Sequence, residues 1–286
     1  MFVGIGYLLI LASVLGGFVM IGGSVRALLQ PVELLMIGGS AVGAFVIANG
    51  GPMLKATLKA LPTLLTRTPY DKAFYMEMFS VIYELLSKAR KSGLMSIEAD
   101  VETPESSAIF SKYPAIIKHH HVVEFICDYL RLMVGGNLNA FEIENLMDVE
   151  IDTHHHEGEM PVNAIKMVAD SMPAFGIVAA VMGVVHTMAS VGLPPAELGA
   201  LIANALVGTF LGILLAYGFV GPLASALEHK LHDSTRVYQT IKAILIASLN
   251  GYAPQIAVEF GRKALIMRDR PTFHELESLV KQAKAK

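Results

Sequence analysis

Four long apolar stretches alternate with charged segments along the chain. The first two stretches are Phe2 to Ile21 and Val32 to Asn49, and the other two are Ala174 to Gly192 and Leu198 to Gly221. A helix of about 20 apolar residues crosses about 30 Å of hydrocarbon, and each stretch is close to or above that length. The pattern predicts an all-α, four-span integral membrane protein whose spans pair into two hairpins.

The charged segments set the expected domain boundaries. Residues 1–49 are predicted to form the first transmembrane hairpin and 50–172 a large helical cytoplasmic domain. Residues 173–222 are predicted to form the second hairpin and 223–286 a helical cytoplasmic tail. No basic region precedes the first stretch and no small-residue cleavage pattern follows it, so we expect a retained span instead of a signal peptide.

The middle segment has the apolar periodicity of helices. Apolar residues recur at helical spacing from Phe74 to Ala89 and again from Val122 to Met133, with Gly93 and Gly135 as stops. Asn139 with Glu142, and Thr272 with Glu275, have the spacing of capping boxes at helix starts.

Lys and Arg are distributed unevenly between the connecting segments. Arg26 is the one basic residue between spans 1 and 2, and none lies between spans 3 and 4. Eleven basic residues lie from Lys55 to Lys166 and ten from Lys230 to Lys286. Because basic residues accumulate on the cytoplasmic side of membrane proteins, both termini are predicted to be cytoplasmic.

Composition and motifs narrow the function classes. Only 16% of the residues are charged, and the net charge of -3 indicates no particular partner, nucleic acid included. The chain has no GxSxG motif, no Walker loop and no nucleophile with an evident base, so we do not expect an enzyme. The single cysteine, Cys127, is interpreted as a small buried hydrophobe.

Two histidine triplets, His119 to His121 and His154 to His156, raise the question of a metal site. Adjacent residues on a helix point about 100° apart, so one triplet cannot supply three converging ligands. We therefore expect ordinary surface histidines and no metal site. Histidine-rich loops of metal transporters keep the other interpretation open.

The spans hold few groups that could carry a proton. Glu33 lies at the border of span 2, and no carboxylate is expected in the interior of a span. Proton movement through hydrocarbon usually needs an ionisable carrier, so in proton transfer that carrier would belong mostly to another subunit. His186 could titrate, although an interhelical hydrogen bond is the simpler interpretation of this residue.

Small residues recur on one face of each later span. The faces are formed by Gly176, Ala180 and Gly183 in span 3, and by Asn204, Gly208, Gly212 and Ala216 in span 4. Such faces let helices approach closely, either within the chain or around a helix of another subunit. Pro173 and Pro222 flank this hairpin, where each marks a helix end or a hinge.

Five long sequence blocks carry a family resemblance. They are GGSVRALLQPVELLMIGG, TLKALPTLL, DSMPAFGIVAAVMGVVHTM, ELGALIANALVGTFLGILLAYGFVGPLA and LNGYAPQIAVEFGRKAL. These blocks closely resemble the MotA-type stator subunits of the bacterial flagellar motor, which belong to the MotA/TolQ/ExbB proton channel superfamily. The resemblance runs almost end to end.

The resemblance implies an inner-membrane complex and its partners. Five such subunits would surround two copies of a MotB-type, peptidoglycan-binding partner whose single span bears the ion-carrying aspartate. Ion passage would rotate this pentamer and turn the rotor through charged contacts with FliG. By matching position, Arg90 and Glu98 would meet the rotor, and Pro173 and Pro222 would couple ion binding to shape change.

The resemblance also bears on the coupling ion. Ala180, Thr209 and Tyr217 are the expected lining of the ion pathway. Sodium prefers several oxygen ligands, and sodium-type relatives carry a threonine where this chain has Ala180. The loss of that oxygen favours the proton as coupling ion over sodium, with no other cofactor.

Three alternatives remain open from sequence. An ion-driven energiser of the ExbB or TolQ type has three spans and a different placement of the cytoplasmic domain, which four spans would argue against. A metal-ion transporter would use the histidine triplets. A scaffold would keep its function when the ion gradient collapses.

Overall fold

The computed structural model describes residues 2–66 and 68–285. The regular secondary structure of these residues is helical, and they contain no β-strand. The all-α prediction is therefore confirmed for these residues. The first helices are α1 (Phe2–Met20), α2 (Val25–Leu28), α3 (Pro31–Ala48), α4 (Gly51–Ala60), α5 (Lys72–Ser92) and α6 (Glu98–Glu102). The later helices are α7 (Pro114–Ile117), α8 (His120–Gly135), α9 (Ala140–Met188), α10 (Pro195–Ile213), α11 (Gly221–Leu249), α12 (Pro254–Ala264) and α13 (Phe273–Ala285). Short 3-10 segments lie at Leu61–Leu65, Leu94–Ile97, Pro104–Ser106 and Phe110–Lys112, and a π-helical segment at Leu214–Val220 joins α10 to α11.

The chain forms two compact units. The membrane unit comprises the described residues of Met1–Arg67 and Glu157–His229, and the globular unit those of Thr68–His156 and Lys230–Lys286. Two of the three unit boundaries fall inside helices, one in α9 and one in α11. The predicted boundaries at residues 49, 172 and 222 concern the membrane surface, and they stay predictions.

Four helical regions of the described chain are long and apolar enough to span a membrane. They lie at Val3–Met20, at Val25–Ala48, within Ala140–Met188 and within Pro195–Leu249. In the second of these regions Pro31 occupies the first turn of α3, where its missing N–H leaves no helical bond unmade. The predicted number of spans is confirmed.

Two apolar clusters hold the membrane unit together. The larger cluster combines Ile37 and Ala41 of α3 with residues of α9 and α10 such as Ala179 and Leu211. The other cluster joins the Leu61–Leu65 segment to α9 and α11 through the side chains of Leu64, Val162, Ile165, Ala224 and Leu227. The spans therefore pack on one another within a single chain.

The globular unit has the larger core. Its largest fully buried side chains include Tyr75 and Phe79 of α5 and Phe125 and Tyr129 of α8. Side-chain caps mark the starts of α5, α9 and α13. Glu142 accepts from the backbone N–H of Asn139 at 2.8 Å, and the Asn139 side chain accepts from that of Glu142 at 3.0 Å. Both predicted capping boxes form, since Thr272 and Glu275 make the same exchange before α13.

Cys127 lies inside this core. Its side chain is buried in α8, as the sequence predicted. Burial raises the pKa of the Cys127 thiol to about 12, despite the nearby Arg131, which opposes the shift. The thiol therefore stays protonated near neutral pH and acts as a small apolar group.

Candidate functional site

Glycines bring α9 and α10 into direct backbone contact in the membrane unit. A Cβ atom at Gly212 would lie 2.8 Å from the Met172 carbonyl oxygen and 2.9 Å from the Gly176 Cα. A Cβ atom at Gly183 would lie 2.6 Å from that of Ala205. These distances are below van der Waals contact, so only glycine allows this approach. The small-residue faces of spans 3 and 4 thus pack on each other, which confirms the intrachain interpretation for these glycines.

Pro173 lies in the interior of α9 at this crossing. It has no backbone N–H, so the carbonyl of Ala169 loses the helical hydrogen bond that residue 173 would otherwise donate. The helix nevertheless continues to Met188, so the alternative that a helix ends at Pro173 is wrong. The neighbouring Met172 carbonyl faces Gly212 across the crossing. A weakened turn of α9 therefore lies against the closest part of α10.

Pro222 follows a change of helical type. It is the second residue of α11 and is separated from the π-helical segment Leu214–Val220 by Gly221 alone. The Gly221 N–H donates to the carbonyl of Ala216, five residues earlier, in place of the usual four. Because Pro222 cannot donate a hydrogen bond, a wider turn before it leaves fewer backbone groups unmatched. The helical run from Pro195 to Leu249 thus changes its pitch without ending.

Helix α1 packs on this π-helical segment. The Tyr7 hydroxyl donates a hydrogen bond of 2.9 Å to the Phe219 carbonyl, and the two rings lie 4.9 Å apart. A Cβ atom at Gly218 would lie 3.4 Å from the Ile10 side chain. The first span therefore supplies a donor to a carbonyl in the irregular part of the fourth span.

The three residues predicted to line the ion pathway occupy two levels of the second hairpin. Ala180 and Thr209 lie together, because a Cβ atom at Gly208, next to Thr209, would be 3.2 Å from the Ala180 backbone nitrogen. Both side chains are half-buried. Tyr217 lies two turns further on, in the π-helical segment, and is 66% exposed.

Glu33 is a buried carboxylate, and its burial was not predicted from the sequence. It lies in the first turn of α3 and is only 8% exposed. Its Oε2 atom has no hydrogen-bond partner among the described residues. The helical stripe Glu33, Ile37, Ala41 and Phe45, each four residues apart and all buried, was the available signal.

Arg90 and Glu98 flank a sharp corner in the globular unit. Arg90 is in the last turn of α5 and Glu98 is the first residue of α6, and both are exposed. Gly93 ends α5 with a φ of 85°, a left-handed conformation that favours glycine. The corner brings the two charged residues into one exposed part of the unit.

An ion pair between the exposed Lys88 and the buried Asp100 fixes this corner. The Lys88 ammonium lies 2.7 Å from the carboxylate of Asp100, which is buried and also accepts from the Ser107 hydroxyl at 2.6 Å. The Ser96 hydroxyl donates to the Gly93 carbonyl at 2.6 Å. Lys88 is thus exposed to solvent while its charge is paired with that of Asp100.

The histidine triplets are less exposed than predicted. The His119 ring is half-buried 5.2 Å from that of Phe74, and this burial lowers the pKa of His119. His154 and His155 are also half-buried and lie 3.0 and 3.1 Å from the hydroxyls of Ser234 and Thr235. Among the described residues, no three His, Cys, Asp or Glu side chains are grouped so that they could hold a metal ion.

Two family models match most of the chain. Residues 4–93 match the motility protein A N-terminal family, and residues 119–240 match the MotA/TolQ/ExbB proton channel family. The second match includes the glycine crossing and both prolines. Fold and sequence together define the class as multi-span subunits of proton channels in the inner membrane.

Two similar proteins identify the family within this class. The chain is 54% identical to motility protein A of Salmonella typhimurium, over 97% of this chain and 94% of the relative. It is 53% identical to motility protein A of Escherichia coli, over 98% and 95%. The chain belongs to the motility protein A family.

Solved structures share the fold. The chain matches the Campylobacter jejuni MotAB structure with a TM-score of 0.78 at 18% identity, over 95% of this chain and 98% of that one. It matches the flagellar MotAB stator complex of Bacillus subtilis with a TM-score of 0.73 at 25% identity, over 92% and 93%. The four-span arrangement is thus shared with these structures.

Proposed function

We propose that this chain is the stator subunit of a bacterial flagellar motor, which couples proton flow to torque on the rotor. The observation that carries the proposal is the glycine crossing of α9 and α10, next to Pro173 and near the π-helical segment before Pro222. Two weakened helical regions meet a close-packed contact there. Such an arrangement can have two packings of similar energy, which an ion-driven machine requires.

The complex includes a second protein. The B. subtilis structure is a flagellar MotAB stator complex. By extension, five copies of this chain surround two copies of a MotB-type subunit, whose single span bears a carboxylate and whose outer part binds peptidoglycan. That carboxylate is the main ion carrier, since Glu33 is the one carboxylate among the described residues of the four apolar stretches 2–21, 32–49, 174–192 and 198–221.

Pro173 and Pro222 transmit the protonation state of the partner's aspartate to the rest of this chain. Protonation of the partner's aspartate removes a charge and changes how its helix packs against spans 3 and 4. The two prolines weaken the backbone of α9 and α11 near those contacts, so the change in packing becomes a change in helix direction. Ala180, Thr209 and Tyr217 line the pathway next to the carrier.

The corner at Arg90 and Glu98 makes the rotor contact. Both side chains are exposed, while the Lys88–Asp100 ion pair beneath them keeps the backbone fixed. A rigid corner with opposite charges at its two sides can follow the charged surface of the rotor protein FliG from one site to the next.

The remaining assignments follow from this role. The protein spans the inner membrane several times, with both termini in the cytoplasm, and it performs no covalent catalysis. The proton is the coupling ion, because Ala180 offers no side-chain oxygen for sodium. An energiser of the ExbB or TolQ type is not favoured, because such proteins have three spans and the described part of this chain has four candidate spans.

Native mass spectrometry of the detergent-extracted complex tests the proposal. The chain would be produced with its neighbouring genes, so that its natural partner can assemble. We expect five copies of this chain with two copies of a single-span protein that bears an aspartate. A stable assembly without such a partner would contradict the motor role and favour a transporter or scaffold.

Motility in sodium-free medium is the second test. A proton-coupled stator supports swimming there, and swimming stops when an uncoupler collapses the proton gradient. Swimming that depends on added sodium would overturn the choice of coupling ion without affecting the motor role.

A further inference from the structure

Two apolar side chains are held out into solvent at the tip of the Arg90–Glu98 corner. Leu94 is 40% exposed and Met95 is 64% exposed, whereas Ile97, two residues later, is fully buried. The two side chains lie in the 3-10 segment Leu94–Ile97, between α5 and α6. We call Leu94 and Met95 the apolar tip.

The backbone under the apolar tip is fixed from several sides. Gly93 turns the chain, the Ser96 hydroxyl donates to the Gly93 carbonyl at 2.6 Å, and Ile97 anchors the segment in the core. The Lys88–Asp100 ion pair joins the helices on the two sides. A partner that binds the tip would therefore lose little conformational entropy in the stator, because the tip is already ordered.

Opposite charges lie on the two sides of the apolar tip. Arg90 and Lys91 are exposed at the end of α5, and Glu98 is exposed at the start of α6. A groove of about 290 Å³ next to the tip is lined by Arg90 and Leu94 together with Leu86, Met133 and Tyr252. The basic side of the corner and its apolar part therefore belong to one continuous surface.

We propose that the apolar tip, with Met95 at its centre, is the anchor that binds an amphipathic helix of the rotor protein. The helix has an apolar stripe that covers Leu94 and Met95, an acidic residue towards Arg90 and a basic residue towards Glu98. The apolar contact supplies affinity, because exposed ion pairs contribute little by themselves, and the charges set the register. The inference rests on the proposed rotor contact and extends it from charges to a hydrophobic anchor.

Met95→Gln tests the anchor, because glutamine has a similar length and keeps the side chain flexible while making it polar. Met267→Gln is the matched control, since Met267 is 86% exposed in the same unit and lies away from the corner in sequence. Each variant would be purified as the complete complex with its partner, and native mass spectrometry would verify its composition. Binding of purified rotor protein to the complex in nanodiscs would be measured at 50 mM and at 500 mM salt.

We expect Met95→Gln to weaken rotor binding by about tenfold, as loss of an interface anchor does, and Met267→Gln to leave it unchanged. High salt screens the charges but not the apolar contact, so the binding that survives at 500 mM should be lost in Met95→Gln. Swimming speed should fall in the same variant.

The other outcomes separate this inference from the proposed function. Normal binding of Met95→Gln at both salt concentrations, with binding impaired by charge reversal at Arg90, would overturn the anchor and leave the rotor contact in place. Normal binding both in Met95→Gln and in the charge reversal at Arg90 would remove the whole corner from the rotor contact. Loss of subunits from the Met95→Gln complex would show that the tip contacts another subunit, and would also overturn the inference.

Discussion

The Tyr7 hydroxyl in α1 donates a hydrogen bond to the Phe219 carbonyl, three residues before Pro222. The bond joins the first span to the part of the fourth span whose helical pitch is irregular. It satisfies a carbonyl in apolar surroundings, where an unpaired carbonyl would be costly. The first span thus has a structural role in the hinge region besides crossing the membrane.

Tyr7→Phe should keep the ring contact with Phe219 and remove only the hydrogen bond. The bond contributes about 1 kcal/mol, so its loss should shift an equilibrium between two helix arrangements by about fivefold. We expect normal assembly with the partner and reduced rotation speed in a tethered-cell assay. Tyr83→Phe, a change in the core of the globular unit, should rotate normally. Equal speeds for Tyr7→Phe and the wild type would show that the bond has no role in rotation.

Pro173→Ala should separate assembly from rotation. Alanine restores a backbone donor in the interior of α9 and removes the weak turn beside the glycine crossing, so α9 becomes straighter and stiffer. We expect the complex to reach the membrane at normal levels and to generate little torque in a bead assay. Normal torque in this variant would count strongly against the proposed coupling role of Pro173.

Gly212→Ala should disrupt the contact between α9 and α10. The added methyl group would lie 2.8 Å from the Met172 carbonyl, so the two helices must move apart. Overpacking of this kind costs about 1–3 kcal/mol. We expect less complex in the membrane and a lower melting temperature in detergent. Gly199→Ala is the control in the same helix, because a Cβ atom there meets nothing within 4 Å. Similar stability of the two variants would contradict the packing described above.

Reversing both charges, at Arg90 and Glu98, should reduce swimming speed more than reversing either one. Exposed ion pairs contribute about 0–1 kcal/mol each, so Arg90→Glu or Glu98→Arg alone should reduce swimming speed only in part. The double variant should reduce it further. Lys118→Glu, a reversal at another exposed position of the globular unit, is the control. A double variant that swims at wild-type speed would remove both residues from the rotor contact.

Glu275 should make the stability of α13 depend on pH. Hydrogen bonds from Lys72, 2.7 Å away, and from Thr272 lower the pKa of Glu275 to about 2, from an ordinary value of 4.5. Because the folded pKa lies below the unfolded one, this contribution is fully present above pH 4.5 and is lost as the pH falls towards 2. Hydrogen exchange should show less protection of α13 at pH 3 than at pH 7.

Glu275→Gln provides the check on that pH dependence. The variant should show reduced protection of α13 at pH 7 and a smaller change between the two pH values. Glu124→Gln, at an exposed position of α8, should behave like the wild type. An unchanged pH response in Glu275→Gln would assign the effect to another group.

Much of the fold follows from local sequence patterns. The four spans are visible as long apolar stretches, and the capping boxes at Asn139 and Thr272 are visible as spacings of polar residues. The glycine faces were also visible, although their partner was not, because two small faces can pack on each other or on another subunit. These features depend on residues close together in the chain, so sequence alone can predict them.

The features that the sequence did not predict depend on how different helices pack against one another. The burial of Glu33 results from the packing of α3 within the membrane unit, and the pairing of Lys88 results from a turn that brings Asp100 back to α5. In the π-helical segment before Pro222, the Phe219 carbonyl accepts a hydrogen bond from the hydroxyl of Tyr7, 212 residues earlier in the chain. Local secondary-structure propensities do not predict such a combination.

The burial of Cys127 makes the natural chain a ready background for site-specific labelling. It is the only cysteine in the sequence, and its protonated, enclosed thiol should react very slowly with maleimides near neutral pH. A cysteine introduced at Met95 or Met267 would then be the one reactive thiol in each subunit. Fluorophores placed there could report how the corner moves while the motor turns, without first removing any natural residue.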